Sequence, residues 1–133
     1  MNKPRVLVVD DKENILNLLR AILEDSYEVA TAPDAERALL SAATGAPDVV
    51  ITDMRMPGMD GLALMQAFKR HDPDVEVVLM TAYGTVQKAV EAMKAGAYDY
   101  LTKPFEPDEV LLTIARAVER KQLRTQARNL RFA

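Results

Sequence analysis

Short apolar runs alternate with amphipathic segments along the chain. Three runs are continuous and rich in β-branched residues, at 5–10, 48–53 and 75–80, and two weaker ones lie at 27–31 and 97–101. Continuous apolar runs are typical of strands that are covered on both faces, as in a parallel sheet. The pattern therefore predicts five strands, most of them buried.

Between these runs, apolar residues recur at helical spacing. The first helical stripe comprises Ile15, Leu18, Leu19, Ile22 and Leu23. Three more contain Ala35, Ala38, Leu39 and Ala42; Leu62, Leu64, Met65 and Phe68; and Val86, Ala89, Val90 and Met93. A fifth helix is predicted to begin near Pro107 and Asp108 and to run almost to the C-terminus, with its packed face formed by Leu111, Ile114, Ala115 and Val118.

Alternating strands and helices predict right-handed βαβ crossovers and an α/β fold. We expect a flavodoxin-like, doubly wound, five-stranded parallel sheet in the order 2-1-3-4-5, with five helices and an extended C-terminal helix. In such sheets, ligands bind beyond the carboxyl ends of the strands, where the strand order reverses. The residues that follow each strand are therefore the first place to look for a site.

Candidate functional residues end or directly follow four of the predicted strands: Asp10 and Asp11, Asp53, Thr81 with Ala82, and Thr102 with Lys103. Carboxylates that lie close together repel one another, and an all-oxygen ligand set favours Mg²⁺ or Mn²⁺. A carboxylate can also act as a nucleophile towards phosphorus, while a lysine and a hydroxyl suit the phosphoryl oxygens. The set predicts a Mg²⁺-assisted phosphoryl-acceptor site, in which Mn²⁺ can substitute.

Each of these residues also has an ordinary structural interpretation. An aspartate at a strand end is most often a turn former or a helix N-cap, and Thr81 can cap the helix that follows it. A lone lysine before proline is usually a surface residue. The functional interpretation is favoured because every candidate falls at the same end of its own strand.

The amino-acid composition excludes several classes of protein and of functional site. The chain has 133 residues, 49% apolar and 28% charged, which fits one globular domain. It has no cysteine and a single histidine, His71, which excludes disulfides and thiol catalysis and disfavours histidine-rich metal sites. No apolar run approaches a membrane span and no signal peptide is present, so we expect a cytoplasmic protein without membrane contact.

Four motifs then give a specific resemblance: VVDD at 8–11, DMRMPGMDG at 53–61, LMTAYG at 79–84 and GAYDYLTKPF at 96–105. Together they resemble the receiver domain of bacterial two-component response regulators, over roughly residues 4–120. The resemblance implies a phosphorylation-activated signalling switch rather than an enzyme with an external substrate. Its phosphodonor would be the phosphohistidine of a cognate sensor histidine kinase.

The resemblance also implies a role for each motif position. Asp53 matches the phosphoacceptor. Asp53 itself, Asp10, Asp11 and the backbone carbonyl of Arg55 match the Mg²⁺ ligands. Lys103 and the Ala82 amide match the groups that bind phosphoryl oxygens, and Thr81 and Tyr100 match the switch pair. The Arg55 and Tyr83 side chains match positions that modulate hydrolysis of the acyl phosphate.

Competing classes fit less well. A dehalogenase-type aspartyl-phosphate phosphatase needs a second aspartate where Arg55 stands. A flavodoxin-like electron carrier needs a phosphate-binding loop after the first strand, where Asp10-Asp11-Lys12-Glu13 would repel the phosphate.

The last residues differ in charge from the rest. Residues 1–115 carry 11 basic and 19 acidic residues, whereas residues 116–133 carry 6 and 1. Leu123, Ala127 and Leu130 continue at the spacing of a coiled-coil seam. We interpret 1–120 as the receiver and 121–133 as a helical linker extension towards a missing effector domain. The basic balance is assigned to this helix, not to nucleic-acid contact.

The 81–94 and 98–105 stretches are most similar to the N-terminal receivers of nitrogen-regulatory-class, sigma-54-dependent activators. This similarity implies a homodimer through the fourth helix, fifth strand and fifth helix, controlling a transcriptional effector. The alternative is a stand-alone receiver that binds a target protein directly.

Overall fold

The computed structural model of the chain describes residues 3–82 and 86–131. Its strands are β1 (Arg5–Val9), β2 (Glu28–Ala32), β3 (Val49–Asp53), β4 (Glu76–Thr81) and β5 (Asp99–Thr102). Its helices are α1 (Glu13–Leu23), α2 (Ala35–Thr44), α3 (Gly61–His71), α4 (Val86–Ala95) and α5 (Pro107–Arg131). All neighbouring strands are parallel and the order is β2-β1-β3-β4-β5, so the predicted flavodoxin-like topology is confirmed.

The sheet is buried on both faces because successive residues of each strand point to opposite sides. In β1, Leu7 and Val9 join one apolar cluster, which α2, α3 and α4 cover. Val6 and Val8 join the other cluster, beneath α1 and α5. This burial on both sides explains why the central strands read as continuous apolar runs.

Element boundaries follow local hydrogen bonding. The side chains of Asp34 and Asp60 accept hydrogen bonds from the backbone N–H groups of Arg37 and Ala63, each at 2.8 Å, and so cap α2 and α3. The two weaker strands begin one or two residues later than the sequence pattern indicates, at Glu28 and Asp99. These shifts do not change the topology.

The apolar stripe predicted for the fourth helix is wrong in part. Among the α4 side chains that the structure describes, Ala92 is buried, whereas Val90 and Met93 are 44% and 45% exposed. The side chains of Val86 and Ala89 lie outside the described residues. Since a small residue makes the contact with the core, α4 presents larger apolar side chains to solvent.

The fifth helix is one unbroken segment of 25 residues, as predicted. Its packed face is formed by Val110, Ile114, Ala117 and Val118, and Ala115 is exposed rather than buried. In the part of the chain that is described, every helix is too short or too polar to cross a membrane.

Candidate functional site

The acidic residues converge because β1 and β3 are adjacent parallel strands in register. Val9 pairs with Thr52, which places Asp10 and Asp53 side by side at the carboxyl edge of the sheet. Asp10 is fully buried and Asp53 is 9% exposed, while Asp11 lies in solvent at the bend that follows β1. The three predicted acids thus form one cluster that is open on one side.

Lys103 reaches this cluster from the end of β5. Its ammonium lies 3.0 Å from Asp10 Oδ2 and 3.4 Å from Asp53 Oδ2. The Lys103 backbone N–H donates to the Thr81 carbonyl at 2.9 Å, which joins the ends of β4 and β5. The Lys103–Pro104 peptide bond is cis. One lysine therefore bridges two buried carboxylates from two different strands.

The pKa of the Asp10 carboxyl is shifted by its surroundings. Burial raises its pKa, and the neighbouring Asp53 carboxylate adds to the rise. Hydrogen bonds from the Lys12 backbone N–H, at 2.8 Å, and from the Lys103 ammonium oppose it. Burial is the largest cause, so a further cation beside Asp10 would favour its ionised form.

The acidic cluster fits a divalent cation. One carboxylate oxygen from each of Asp10, Asp11 and Asp53 lies within 4.8 Å of the others. Oxygens bound to the same Mg²⁺ each lie about 2.0–2.1 Å from the ion, so ligands on opposite sides are roughly 4 Å apart. Small side-chain adjustments would bring these oxygens to that spacing.

Arg55 has two distinct relations to the site. Its backbone N–H lies 3.4 Å from Asp53 Oδ1, a long hydrogen bond that orients the loop after β3. Its side chain is exposed and lines a hollow of about 500 Å³, together with Asp60 and Glu91. The assignment of its carbonyl as a metal ligand stays a prediction.

The predicted switch residues lie at the ends of β4 and β5. Thr81 is half-buried as the last residue of β4, and Ala82 follows it, exposed. Tyr100 pairs with Leu79 across the two strands and is 38% exposed. Tyr83, the other predicted modulating residue, lies outside the described residues.

The structure also tests the interpretation of Asp10 and Asp11 as turn formers or helix N-caps. The N-cap of α1 is Lys12 and not one of the aspartates, although Asp10 does accept a turn-type hydrogen bond from the Lys12 amide.

A further residue of the site, Gly61, was not singled out by the sequence. A Cβ added there would overlap the Asp53 carbonyl oxygen, so α3 packs its first turn directly on the backbone of the predicted acceptor. Gly61 is the last residue of the 53–61 motif, but its position in the sequence does not show that a side chain there would meet the Asp53 carbonyl.

Comparison with known proteins agrees with this arrangement. Residues 6–115 match the family model of the response regulator receiver domain. The chain is 39% identical over 130 residues to the regulatory protein AtoC of Escherichia coli strain K12, and 40% identical over 131 residues to the DNA-binding transcriptional regulator NtrC of Salmonella typhimurium. These alignments cover 97% and 98% of this chain but 28% of each relative.

A comparison with a solved structure also finds similarity to a receiver domain. The crystal structure of the receiver domain of NtrX from Brucella abortus superposes with a TM-score of 0.81 at 40% identity, covering 86% of this chain and 98% of that one. A parallel sheet with an acidic cluster and a lysine at its carboxyl edge defines a receiver-type signalling domain. This chain belongs to the response regulator receiver domain family. It spans 28% of the length of the curated relatives named above.

Proposed function

We propose that this chain is a phosphorylation-activated switch in which Asp53 accepts a phosphoryl group from the phosphohistidine of a sensor histidine kinase. The observation that carries the proposal is the Lys103 ammonium, which lies within 3.4 Å of both Asp10 and Asp53. Lysine and clustered carboxylates together provide a nucleophile, a cation site and a phosphoryl-oxygen ligand. Family membership supports phosphorylation-controlled signalling as the output.

The transfer needs positioning more than acid–base chemistry. An oxygen of the Asp53 carboxylate attacks phosphorus, an O–P bond forms, and the P–N bond to the kinase imidazole breaks. The imidazole nitrogen keeps the electron pair of that bond, and the product is an aspartyl phosphate on this chain. Lys103 neutralises charge that develops on the phosphoryl oxygens, and the Ala82 amide is the second oxygen ligand in this proposal.

Asp10, Asp11 and Asp53 would hold Mg²⁺, with Mn²⁺ as a substitute and the Arg55 carbonyl as a further ligand. The bound ion would supply charge neutralisation for the phosphoryl oxygens. The ion would favour the charged form of the buried Asp10 carboxylate, which burial disfavours.

Phosphorylation would then change the surface around α4, β5 and α5. A phosphoryl group adds up to about two negative charges and three acceptor oxygens beside Thr81. Movement of the Thr81 hydroxyl towards the phosphoryl group would leave space beside β4, into which Tyr100 can turn. The 38% exposure of Tyr100 supports an outward starting position in this proposal.

This same surface is proposed as a homodimer interface. Val90 and Met93 of α4, Tyr100 of β5 and Leu112 of α5 are apolar residues that are 38–52% exposed. A relative named as a DNA-binding regulator supports a cytoplasmic role in transcription, with residues 1–120 as receiver and 121–133 as a link to an effector. The alternative is a receiver that uses this surface to bind a target protein directly.

Acetyl phosphate with Mg²⁺ tests the acceptor assignment. We expect a mass increase of one phosphoryl group on the wild-type chain, and no increase when Mg²⁺ is chelated before acetyl phosphate is added or in Asp53→Asn. Asp60→Asn is a matched control because it alters a nearby exposed cap and should keep phosphoryl uptake. Uptake by Asp53→Asn at the wild-type rate would contradict the assignment.

Light scattering with beryllofluoride and Mg²⁺ tests the dimer separately. We expect a monomer–dimer shift in the wild type and its loss in Val90→Asp. Phosphoryl uptake without a change of mass in solution would favour the stand-alone receiver.

A further inference from the structure

The basic end of α5 is paired with an acidic group at the edge of the sheet opposite Asp53. Asp48 precedes β3, Asp74 precedes β4, and Glu76 is the first residue of β4. Lys121 Nζ lies 2.7 Å from Asp48, Arg124 lies 2.6 Å from Glu76, and Arg128 lies 2.9 Å from Asp74. We name the three acids with their three basic partners the acidic clasp.

Two features show that the clasp is built into the fold. Asp74 and Glu76 are 5% and 2% exposed, so their charges are withdrawn from water. Each has a second partner on α5: the Thr125 hydroxyl donates to Asp74 at 3.1 Å, and Arg120 lies 3.9 Å from Glu76. Among the described residues, no buried side-chain nitrogen or oxygen lacks a hydrogen-bond partner.

Backbone hydrogen bonds tie Glu76 and Asp48 to the start of the sheet, and Asp74 is fixed in the turn that precedes β4. The Glu76 N–H donates to the Asp48 carbonyl at 3.2 Å, and the Asp48 N–H donates to the Arg5 carbonyl at 2.8 Å. The other Asp48 carboxylate oxygen accepts from the Arg5 N–H at 2.8 Å. The Asp74 N–H donates to the Asp72 carboxylate at 3.0 Å. Because these three acids have fixed positions, they also fix the position of the helix that pairs with them.

The basic residues occupy one face of α5. Positions 121, 124, 125 and 128 follow the i, i+3, i+4, i+7 spacing of a single helix face. Leu123 and Leu130 lie outside this face and are 57% and 70% exposed. The clasp therefore determines which side of the extension meets solvent or another molecule.

The helix is much longer than the sheet beneath it. At about 1.5 Å per residue, α5 is roughly 37 Å long, whereas a five-residue strand spans about 17 Å. An unsupported helix end would fray, because most helical stability in proteins comes from packing. Replacing Arg124 or Arg128 takes the nearest cation from a buried carboxylate and leaves it with one weaker contact on α5, so the clasp and the helix end are coupled.

We propose that the acidic clasp holds residues 121–128 of α5 on the receiver body, so that the helix leaves the domain as a rigid lever in one direction. A rigid lever would carry any rotation of α5 to whatever is joined to it. Besides Arg120 and Arg124, Lys69 of α3 interacts with the charge of Glu76, and the Lys69 ammonium donates to the Val75 carbonyl at 3.2 Å. Lys69 belongs to the body, so it cannot fix the helix end.

Amide hydrogen exchange on the unphosphorylated 133-residue chain tests the clasp. We expect amides at 122–128 to exchange at least 50-fold more slowly than unstructured peptide. Arg124→Gln with Arg128→Gln should accelerate this exchange about tenfold or more, without changing amides of β1 and β3. Arg116→Gln is the matched control, since Arg116 is exposed on the same helix and has no ion pair among the described residues.

A double-mutant cycle keeps the test independent of general destabilisation. Glu76→Gln and Arg124→Gln should together accelerate exchange at 122–128 by clearly less than the product of their separate effects. Independent effects, or an equal effect of Arg116→Gln, would overturn the proposal. Unprotected amides in the wild type would overturn it as well.

Spin-label distances test the direction of the lever. The chain has no cysteine, so Leu40→Cys with Leu130→Cys introduces labels at two residues that are 64% and 70% exposed. Diluted with unlabelled chain, the pair should give one narrow distance distribution, at least twofold broader when Arg124 and Arg128 are replaced by glutamine. A broad wild-type distribution contradicts the lever. These measurements need no phosphoryl group, so their failure leaves the phosphoacceptor proposal intact.

Discussion

The ammonium of Lys103 lies 3.0 Å from a carboxylate oxygen of Asp10, although the two residues are 93 positions apart in the chain. Asp10 is fully buried and the Lys103 side chain is 14% exposed, so the pair is shielded from bulk water. Electrostatic attraction is stronger in such surroundings, and so is the penalty for removing one partner. This relationship makes Lys103 both part of the proposed phosphoryl site and a structural element of the carboxyl edge.

Lys103→Met should therefore destabilise the protein when Mg²⁺ is absent. Both Asp10 and Asp53 would lose their cation, and we expect the free energy of unfolding to fall by about 2 kcal/mol. Urea unfolding in a chelating buffer measures the loss, and Mg²⁺ should restore much of it. Lys94→Met removes an exposed lysine of α4 and should have little effect. Equal stability of the two variants would contradict the prediction.

Asp10→Asn should have the opposite effect in the same Mg²⁺-free buffer. Burial raises the pKa of Asp10, so the folded protein is more stable when this carboxyl is protonated than when it is charged. That contribution is complete below the ordinary carboxyl pKa of 3.8 and is lost as pH rises through the raised folded value. Asparagine stays neutral, and Lys103 keeps its contact with Asp53, so no buried charge is left unpaired. The variant should therefore become more stable than wild type by roughly 1 kcal/mol at neutral pH.

Metal addition should reverse this order. Mg²⁺ that binds only the folded protein stabilises it by about 2.7 kcal/mol at 100 times its Kd. Asp10→Asn removes a proposed ligand, so its unfolding midpoint should barely respond to Mg²⁺. The two proteins are compared by urea unfolding between pH 4 and 8, with and without Mg²⁺. A variant that is less stable than wild type in chelator at neutral pH would argue against the electrostatic explanation.

Two glycines of the β3–α3 region should differ in their response to alanine. Gly58 has φ +81° with open space around it, so Gly58→Ala should cost about 1 kcal/mol in unfolding free energy through backbone strain alone. Gly61→Ala places a methyl group against the Asp53 carbonyl and should cost roughly 2 kcal/mol. Only Gly61→Ala should also slow phosphorylation by acetyl phosphate, because it displaces the backbone of Asp53.

Tyr100 should become less accessible on activation. Its ring is partly exposed in this structure, and the proposed inward rotation would bury it beside β4. Fluorotyrosine labelling with a soluble paramagnetic agent reports exposure, and we expect at least a twofold decrease with beryllofluoride and Mg²⁺. Thr81→Ala should abolish the decrease, because no hydroxyl would move towards the phosphoryl group. An unchanged Tyr100 signal in the activated wild type would exclude this rotation.

The amino-acid sequence alone determined the order of elements and predicted which acids lie together at the carboxyl edge of the sheet. Buried parallel strands produce continuous apolar runs, and residues at their carboxyl ends must converge at one edge, so Asp10, Asp53 and Lys103 were predictable together. The burial of α4 was not predictable from periodicity. Ala92 makes a core contact, whereas Val90 and Met93 are exposed. The distance between the helix and the sheet, and not the sequence spacing of apolar residues, selects the buried face.

Only the tertiary structure decided how the C-terminal helix is held. The sequence indicated a basic, thinly apolar extension, and its charge was attributed to solvent exposure and the helix dipole. The acids that receive it lie 73, 48 and 54 residues away along the chain, at the entries of β3 and β4. Such pairs depend on where the sheet places each strand end relative to the helix, and local pattern carries no information about that distance. The role of residues 121–133 as a linker stays a prediction, whereas the ion pairs along 121–128 are a property of the fold.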